Sequence, residues 1–392
     1  MRGLVLMLAA VMVARAENIL VLPFFDLSNQ PDLNWVGESI SEAVRTALDE
    51  HGIVVLGRED RQEVFRRLAV PPYVRLTTAS VFKLGSVADA TDVVYGQYEL
   101  APGQEGEAAE KRSLRITCRI VSLREMKQSG DLLEMGAMGD LAALQRHLSY
   151  LALRHFSGPA TPSEDEFRRL RPALRVDALE NYIRGLLTST ADQKIRFFTQ
   201  AARLDERFAT PCFELGRLYA QRKEYRFAPE WLERVKPEDT RYAEAQFWLG
   251  LARYFNGEFE RAEAAFRAVS ERVPLNEVFN NLGAAQSRRR HAQAVDNFRK
   301  AIAGDDADPD FHFNAGYSLW KQQRFEEASA AFRATLERAP EDQNATIMLG
   351  RCLKRSGPRP ADPKSDGLER VKLNYEGAAY RQLKAAIEGK AK

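Results

Sequence analysis

The residues that could carry out chemistry are few and lie far apart along the chain. Histidine imidazoles and cysteine thiolates bind metals or act as bases and nucleophiles, but those uses need characteristic spacings. No HExxH, GxSxG, GxxxxGK[ST] or post-strand GxGxxG motif occurs. The five histidines show no ligand spacing: His51, His147, His155, His291 and His312. We therefore expect no catalytic residue, no metal site and no cofactor, and we predict that the protein is not an enzyme.

Cysteines and charged clusters have simpler explanations than catalysis. Cys118, Cys212 and Cys352 are odd in number and widely spread, without CxxC spacing, so we interpret them as small buried apolar residues. The acidic cluster at residues 164–166 stands at a predicted helix start, where carboxylates favour the helix dipole. The basic run at residues 287–291 falls at a predicted turn, with a solvated turn and an anion site as its two interpretations.

The composition is that of an ordinary globular protein. Of 392 residues, 45% are apolar and 29% are charged, and the formal net charge is +2. This near balance gives no reason to expect nucleic acid as a partner. The length is sufficient for two or three domains.

A repeating pattern centred on residues 242–340 must position any binding residues. In its well-formed copies a glycine is followed after 12 residues by alanine, after 16 by phenylalanine and after 24 by proline, and one copy is a residue shorter. Successive glycines are 31, 34, 33, 33 and 34 residues apart. The residues of the pattern are Gly185, Gly216, Gly250, Ala262, Phe266, Pro274, Gly283, Ala294, Phe298, Gly316, Ala328, Phe332, Pro340 and Gly350.

This period resembles the tetratricopeptide repeat, a helix-turn-helix unit of about 34 residues. Small residues let the two helices of one unit approach closely, and we expect the phenylalanine to fill the gap against the next unit. One unit leaves its apolar face half covered, so several must stack before any of them is stable. The resemblance implies an all-α solenoid over residues 168–357, with about five and a half repeats. It also implies binding rather than catalysis.

In this resemblance a partner enters a groove lined by the first helix of each repeat. Counted from the glycines, the groove positions carry aromatic and basic side chains, which is the combination a peptide-binding groove needs. The alternative is that several of these aromatic rings simply pack between repeats. The predicted groove residues are Phe213, Arg217, Phe247, Tyr254, Asn280, Arg288, Phe313, Tyr317, Trp320, Lys321, Arg351 and Arg355. The predicted partner is a protein or a peptide.

Residues 17–156 mix strand patterns with helix patterns, which predicts an α/β layered domain. The run VLPFFDLSNQPDLNWVGESISEAVRTAL, followed by IVVLGRED and DVVYGQYEL, resembles the TolB-like N-terminal domain. That resemblance implies a protein of the bacterial envelope and brings no catalytic set with it. The predicted fold class is therefore α+β multidomain: an N-terminal α/β sandwich-type domain followed by an all-α tetratricopeptide solenoid.

Residues 1–16 have the pattern of a secretory signal peptide. Arg2 supplies a positive start, residues 3–14 an apolar stretch, and residues 14–16 a small-x-small cleavage site. The alternatives are an uncleaved anchor and a buried first helix. No later stretch is apolar enough to cross a membrane. We therefore expect a periplasmic or secreted protein with no integral membrane segment after signal cleavage.

Two proline-containing segments separate the predicted domains. Residues 157–167 form one linker, where Ser163 and Glu166 make a capping box, and residues 358–367 form a stiff second linker. Residues 368–392 are predicted to form one helix that caps the open solenoid end. A partner-binding or membrane-surface helix is the alternative. Its apolar face would carry Leu368, Val371, Tyr375, Ala379, Leu383 and Ile387.

The function that these observations predict is a non-enzymatic scaffold of the bacterial cell envelope, with a protein or peptide partner in the repeat groove. The alternative is an envelope regulator or ligand sensor that acts through the α/β domain and uses the repeats as a docking stalk.

Overall fold

A computed structural model describes residues 18–103, 108–359 and 365–390 of the chain. Of these, the residues up to Ser189, together with Arg203–Asp205, form one compact unit, and Thr190–Ala202 with the residues from Glu206 onward form the other. The predicted signal peptide lies outside the described residues, as do residues 360–364 of the second predicted linker. The domain boundaries given by the sequence stay predictions. The fold class is confirmed: an α/β unit is followed by a unit of helices.

The first unit is built on a mixed, seven-stranded sheet. Strand β1 is parallel to β3 and β4, and β2 is also parallel to β4. Strand β5 is antiparallel to β4, β6 and β7. The strands are β1 (Asn18–Val21), β2 (Phe25–Asp26), β3 (Val54–Val55), β4 (Asp92–Leu100), β5 (Ser113–Ser122), β6 (Lys127–Gln128) and β7 (Leu132–Ala137).

The described residues of the first unit also form six α-helices: α1 (Asn34–Asp49), α2 (Arg58–Arg67), α3 (Thr78–Val87), α4 (Leu141–Ser157), α5 (Glu164–Leu170) and α6 (Val176–Leu187). Helix α1 packs against β1, β4 and α4, and α6, which carries Gly185, also contacts α1. At the start of α5 the Ser163 hydroxyl accepts a hydrogen bond from the Glu166 N–H at 3.3 Å, as the capping pattern predicts. No helix among the described residues is long and apolar enough to cross a membrane.

A buried ion-pair cluster ties α2 to α1. Glu38 on α1 is 2% exposed and accepts hydrogen bonds or ion pairs from Arg58 and Arg61 of α2. Arg61 also donates to the Ser41 hydroxyl at 2.8 Å. A buried charge without its partner is costly, so these three charged groups depend on one another.

The second unit is an array of helical hairpins in which each helix from α8 onward contacts the next one, up to α16. The first helices of the repeats are α8, α10, α12 and α14, the second helices are α9, α11, α13 and α15, and α16 is a single first helix, as the sequence predicts. The helices are α7 (Ala191–Leu204), α8 (Ala209–Gln221), α9 (Ala228–Leu232), α10 (Tyr242–Phe255), α11 (Phe259–Arg272), α12 (Asn276–Arg288), α13 (Ala294–Gly304), α14 (Pro309–Lys321), α15 (Phe325–Arg338) and α16 (Gln343–Leu353).

Close packing inside each repeat explains the glycine and aromatic positions. A Cβ atom added to Gly250 would lie 2.6 Å from the Phe266 ring, so only glycine leaves room for that ring. At Gly216 the Leu232 side chain takes the place of the ring. At Gly350, in the final single helix, nothing lies within 4 Å of such a Cβ. The ring lies against the glycine of its own repeat. Its packing against the next repeat stays a prediction.

The three cysteines are free and buried, as predicted from their apolar surroundings. Burial raises the pKa of the Cys118 thiol to about 12 and that of Cys212 to about 11. All three thiols therefore remain protonated at neutral pH.

The C-terminal segment differs from the predicted single helix over residues 368–392. Helix α17 (Gly377–Lys390) is present, but residues 365–376 form neither helix nor strand. The main-chain groups of Arg370 and Lys372 find hydrogen-bond partners on side chains of the repeats, which replace the bonds that a helix would supply. Lys384 of α17 donates to the Thr240 carbonyl, just before α10. That this helix caps an open end of the solenoid stays a prediction.

Candidate functional site

One face of the array holds the C-terminal segment of the same chain. We call residues 365–376 the tail, and the side chains of the first helices and their preceding turns that contact it the groove. The tail begins at α14, where the Tyr317 hydroxyl donates to the Ser365 carbonyl at 2.7 Å. It ends at α10, where the Tyr375 ring lies 4.8 Å from the Phe247 ring. The tail therefore runs opposite to the order of the repeats.

Two asparagines of the groove each clamp the main chain of one tail residue. Asn314 on α14 donates to the Arg370 carbonyl at 2.7 Å and accepts from the Arg370 N–H at 2.8 Å. Asn281 on α12 does the same for Lys372, at 2.8 Å and 2.7 Å. Both asparagines stand two residues before the glycine of their repeats. Since alternate residues of an extended chain face the same side, clamps one repeat apart hold tail residues two positions apart.

A third asparagine orients the clamps. Asn280 donates to the Arg370 carbonyl at 2.8 Å and accepts from the Asn314 amide at 2.7 Å. It also donates to the Asn281 amide oxygen at 3.2 Å. Each of the three asparagines has no exposed surface. Buried amides are costly unless they are hydrogen-bonded, so the docked tail satisfies groups that would otherwise need water.

A pair of carboxylates receives the Arg370 side chain. Its guanidinium lies 3.6 Å from the centroid of the Phe313 ring and pairs with Asp310 at 3.1 Å and Asp342 at 2.6 Å. Burial opposes the ionisation of Asp342, but the hydrogen bonds from Arg370 and from the Ala345 N–H hold its pKa below the usual value. This arrangement selects a cation that can also stack on an aromatic ring.

The Lys372 side chain enters a second acidic subsite. Its ammonium lies 2.6 Å from Asp308 and 2.7 Å from Asp310, and 5.3 Å from the centroid of the Phe311 ring. Burial alone would lower the pKa of Lys372, but the hydrogen bonds to the two aspartates raise it above the usual value. The groove therefore stabilises the charged form of this lysine.

A basic subsite lies beside the acidic ones and holds Glu369. The Glu369 side chain is fully buried, and one carboxylate oxygen accepts from Lys321 at 2.7 Å and from the Ser287 hydroxyl at 2.9 Å. The other oxygen is 3.7 Å from the Arg288 guanidinium. Gly367 precedes this residue with φ +74°, and an added Cβ would lie 2.5 Å from Arg288, so the turn that leads into the subsite needs glycine.

An aromatic subsite completes the groove at α10. The Tyr375 ring packs edge-to-face on Phe247, and its hydroxyl donates to Glu244 at 3.1 Å. Burial raises the pKa of both Glu244 and Tyr375. The Glu376 N–H then donates to Glu277 at 2.8 Å, at the end of the tail.

The structure brings six of the twelve predicted groove residues to the tail: Phe247, Asn280, Arg288, Phe313, Tyr317 and Lys321. The other six contact residues of the repeats and of the turn after α16. Phe213 and Tyr254 are in the core, Arg217 pairs with Glu214, and Trp320 is fully buried and donates to the Ser356 carbonyl. The Arg351 guanidinium lies 5.8 Å from the Trp320 ring, and Arg355 pairs with Glu326 of α15.

Sequence reasoning missed the two clamps and the acidic subsites. A signal for Asn281 and Asn314 existed, because they occupy the same place in consecutive repeats. The aspartates carried a weaker signal. Asp308 and Asp342 also cap helices, accepting from the Asp310 and Ala345 N–H groups, and capping alone is a sufficient reason for an aspartate there.

Within the described ranges, no group of three or more histidine, cysteine, aspartate or glutamate side chains could hold a metal ion.

The class that the helical array defines is a tetratricopeptide solenoid, and the comparisons with known proteins agree. The tetratricopeptide repeat model matches residues 247–310, 283–342 and 313–357, which supports the repeats predicted from the sequence. Solenoids of this class present extended surfaces on which proteins can bind. No curated protein matches the sequence.

The chain is also similar to several solved structures. One is MamA from Desulfovibrio magneticus RS-1, residues 41 to the end, at 17% identity and a TM-score of 0.37, covering 41% of this chain and 92% of that one. Another is YrrB, a tetratricopeptide protein with an unusual peptide-binding site, at 19% identity and a TM-score of 0.36, covering 43% of this chain and 86% of that one. A further MamA structure shows 22% identity and a TM-score of 0.35, covering 38% and 90%.

Proposed function

We propose that this protein is a non-enzymatic scaffold whose repeat groove binds an extended segment of a partner protein. The observation that carries the proposal is the pair of asparagine clamps. Asn281 and Asn314 hold main-chain N–H and carbonyl groups, which every peptide possesses, at 2.7–2.8 Å. A segment other than the tail can therefore make the same four hydrogen bonds.

The tail is an addition to the array and not part of its framework. The rings that hold each hairpin together are fully buried within the repeats, as at Phe266, Phe298 and Phe332. Tail residues Leu373 and Asn374, in contrast, are exposed. The tail docks through hydrogen bonds and ion pairs, which water can replace, and through apolar contacts of Leu368, Val371 and Tyr375. A partner segment can therefore exchange with it without unfolding the repeats.

Selection from a random peptide library tests this function. The target is the full chain with Arg370→Glu and Lys372→Glu, which place two carboxylates of the tail against the acidic subsites and open the groove without changing it. The control target carries the same two changes together with Asn281→Ala and Asn314→Ala. We expect peptides to be enriched on the first target only. Equal enrichment on both targets, or none on either, would refute binding through the clamps.

We further propose that the protein acts in the bacterial cell envelope, in the periplasm or after secretion. The support is the signal-like pattern of residues 1–16 and the resemblance of residues 17–156 to the TolB-like domain. A fusion to alkaline phosphatase, which is active only in an oxidising compartment, should be active, and deletion of residues 2–16 should abolish that activity. Equal activity of the two fusions would contradict export.

A further inference from the structure

We infer that the partner segment carries the charge pattern of the tail and binds by displacing it. The pattern is an acidic residue, then basic residues one and three positions later, then an aromatic residue six positions later, as in Glu369, Arg370, Lys372 and Tyr375. This inference rests on the proposed function and adds the chemistry of the partner to it.

The clamps fix the register in which side chains are read. Asn314 and Asn281 bind the main chain of positions 370 and 372, so the side chains of those two positions enter the acidic subsites. Three carboxylates lie in these subsites, those of Asp308, Asp310 and Asp342. A neutral or acidic residue at position 370 would leave Asp342 without its counter-charge in a partly buried place, and one at position 372 would do the same to Asp308.

The groove prefers the opposite charge, a negative one, at the neighbouring position 369. The residue just before the first clamped one meets Lys321 and Arg288, and the Glu369 carboxylate there has no exposed surface. A cation at that position would face two cations without solvent screening. Adjacent subsites of opposite sign reject both uniformly basic and uniformly acidic segments, so the groove has specificity as well as affinity.

The tethered tail sets the condition for binding. A segment joined to its site by a short linker has an effective concentration of about a millimolar. Without a partner the tail therefore occupies the groove. A free partner binds only when its affinity exceeds that of the tail, or when its local concentration exceeds the effective concentration of the tail. A partner that carries the same pattern makes the same contacts and meets this condition most readily.

Fluorescence anisotropy with a labelled peptide of residues 365–376 tests the inference. The full chain with Arg370→Glu and Lys372→Glu should bind this peptide on the order of 100-fold more tightly than the unchanged chain, because its own tail no longer competes. A peptide that itself carries Arg370→Glu and Lys372→Glu should not bind that opened chain. A control peptide with Leu373→Ser and Asn374→Ala, changed only at exposed positions, should bind it as well as the original.

The reciprocal change makes the test specific for charge. The full chain with Asp308→Lys and Asp310→Lys should lose affinity for the original peptide and gain affinity for the charge-reversed one. If both peptides bind each chain equally, the groove does not read charge and the inference fails, while the proposed function survives. If the library selects binders that lack the pattern, the inference fails in the same way. If no peptide binds any chain, both fail.

Hydrogen exchange on the unchanged chain gives a test that does not depend on whether a substituted chain folds. The amides of Arg370 and Lys372 are bonded to the clamps and should exchange slowly. An excess of unlabelled peptide of residues 365–376 should speed their exchange, and the charge-reversed peptide should not. Equal effects of the two peptides, or no effect of either, would overturn the inference. So would a stable dimer formed by exchange of tails, which would make a second copy of the chain the occupant.

Discussion

Removal of the asparagine clamps is the most direct test of how the tail is held. Asn281→Ala and Asn314→Ala together delete four hydrogen bonds to the tail main chain, at 2.7–2.8 Å. One hydrogen bond contributes about 0.5–1.5 kcal/mol net. Because the Arg370 carbonyl keeps its bond from Asn280, we take the lower part of the sum, about 2–4 kcal/mol. The ratio of docked to released tail should then fall about 30-fold to 1,000-fold.

Amide hydrogen exchange resolved by residue measures this ratio. The amides at positions 370 and 372 should lose protection by that factor in the double variant, while amides in the middle of α12 and α14 keep theirs, since the substitutions leave the helix backbone intact. Asn344→Ala is the matched control, because Asn344 is an exposed helical asparagine outside the groove, and it should change nothing. The reasoning is refuted if the tail amides stay protected without the clamps. It is also refuted if the tail and the helices lose protection together, which would make the tail part of one cooperative unit with the repeats.

Three further predictions concern stability and pH. Gly250→Ala should lower the denaturant midpoint of the repeats, because overpacking against the neighbouring ring costs about 1–3 kcal/mol. Gly350→Ala should raise the midpoint, because alanine has a higher helix propensity by up to about 1 kcal/mol and its Cβ meets nothing within 4 Å. Glu38→Ala should destabilise the first unit by about 3–5 kcal/mol in calorimetry, because it leaves two guanidinium groups without their buried partner, and an unchanged transition would contradict that role. Because the pKa of Asp342 is lowered, this group stabilises the docked tail above pH 3.8, the ordinary carboxyl value, and that stabilisation is lost as the pH falls through and below it. Because the pKa of Lys372 is raised, the stabilisation from this group is lost only as the pH rises above 10.5. The protection of the Arg370 amide, whose side chain pairs with Asp342, should therefore be constant near neutrality and fall in acid. The raised pKa of Glu244 has the opposite effect, but it acts at Tyr375. Protection at Arg370 that rises in acid would contradict the signs.

The sequence predicted the array because its pattern reports local packing. The spacing of 15 or 16 residues from glycine to phenylalanine, as from Gly250 to Phe266, recurs for a physical reason, since the ring occupies the space that a side chain on the glycine would fill. Strand β4 could also be predicted, because the run DVVYGQYEL in the sequence coincides with the strand Asp92–Leu100 in the structure. Such features depend on neighbours within one or two repeats or one strand pair, and these leave regular intervals in the chain.

The path of the tail could not be predicted in the same way. Val371 and Tyr375 have helical spacing and contact the core of the array, yet they do so from a chain without regular structure. The decisive bonds join residues about 56 to 91 positions apart, such as Asn314 with position 370 and Asn281 with position 372. No periodicity in a single sequence records contacts of that range. The aromatic candidates divide in two: Phe247, Phe313 and Tyr317 contact the tail, whereas Trp320 fills the core of the array.

The buried thiols have a consequence for experiments on the intact protein. Cys118 lies on a strand of the first unit, while Cys212 and Cys352 lie on helices of the second. A thiol that is shielded and protonated reacts with a labelling reagent only after the surrounding structure opens. The rate of modification at each cysteine therefore reports how often its surroundings open, without any engineered probe.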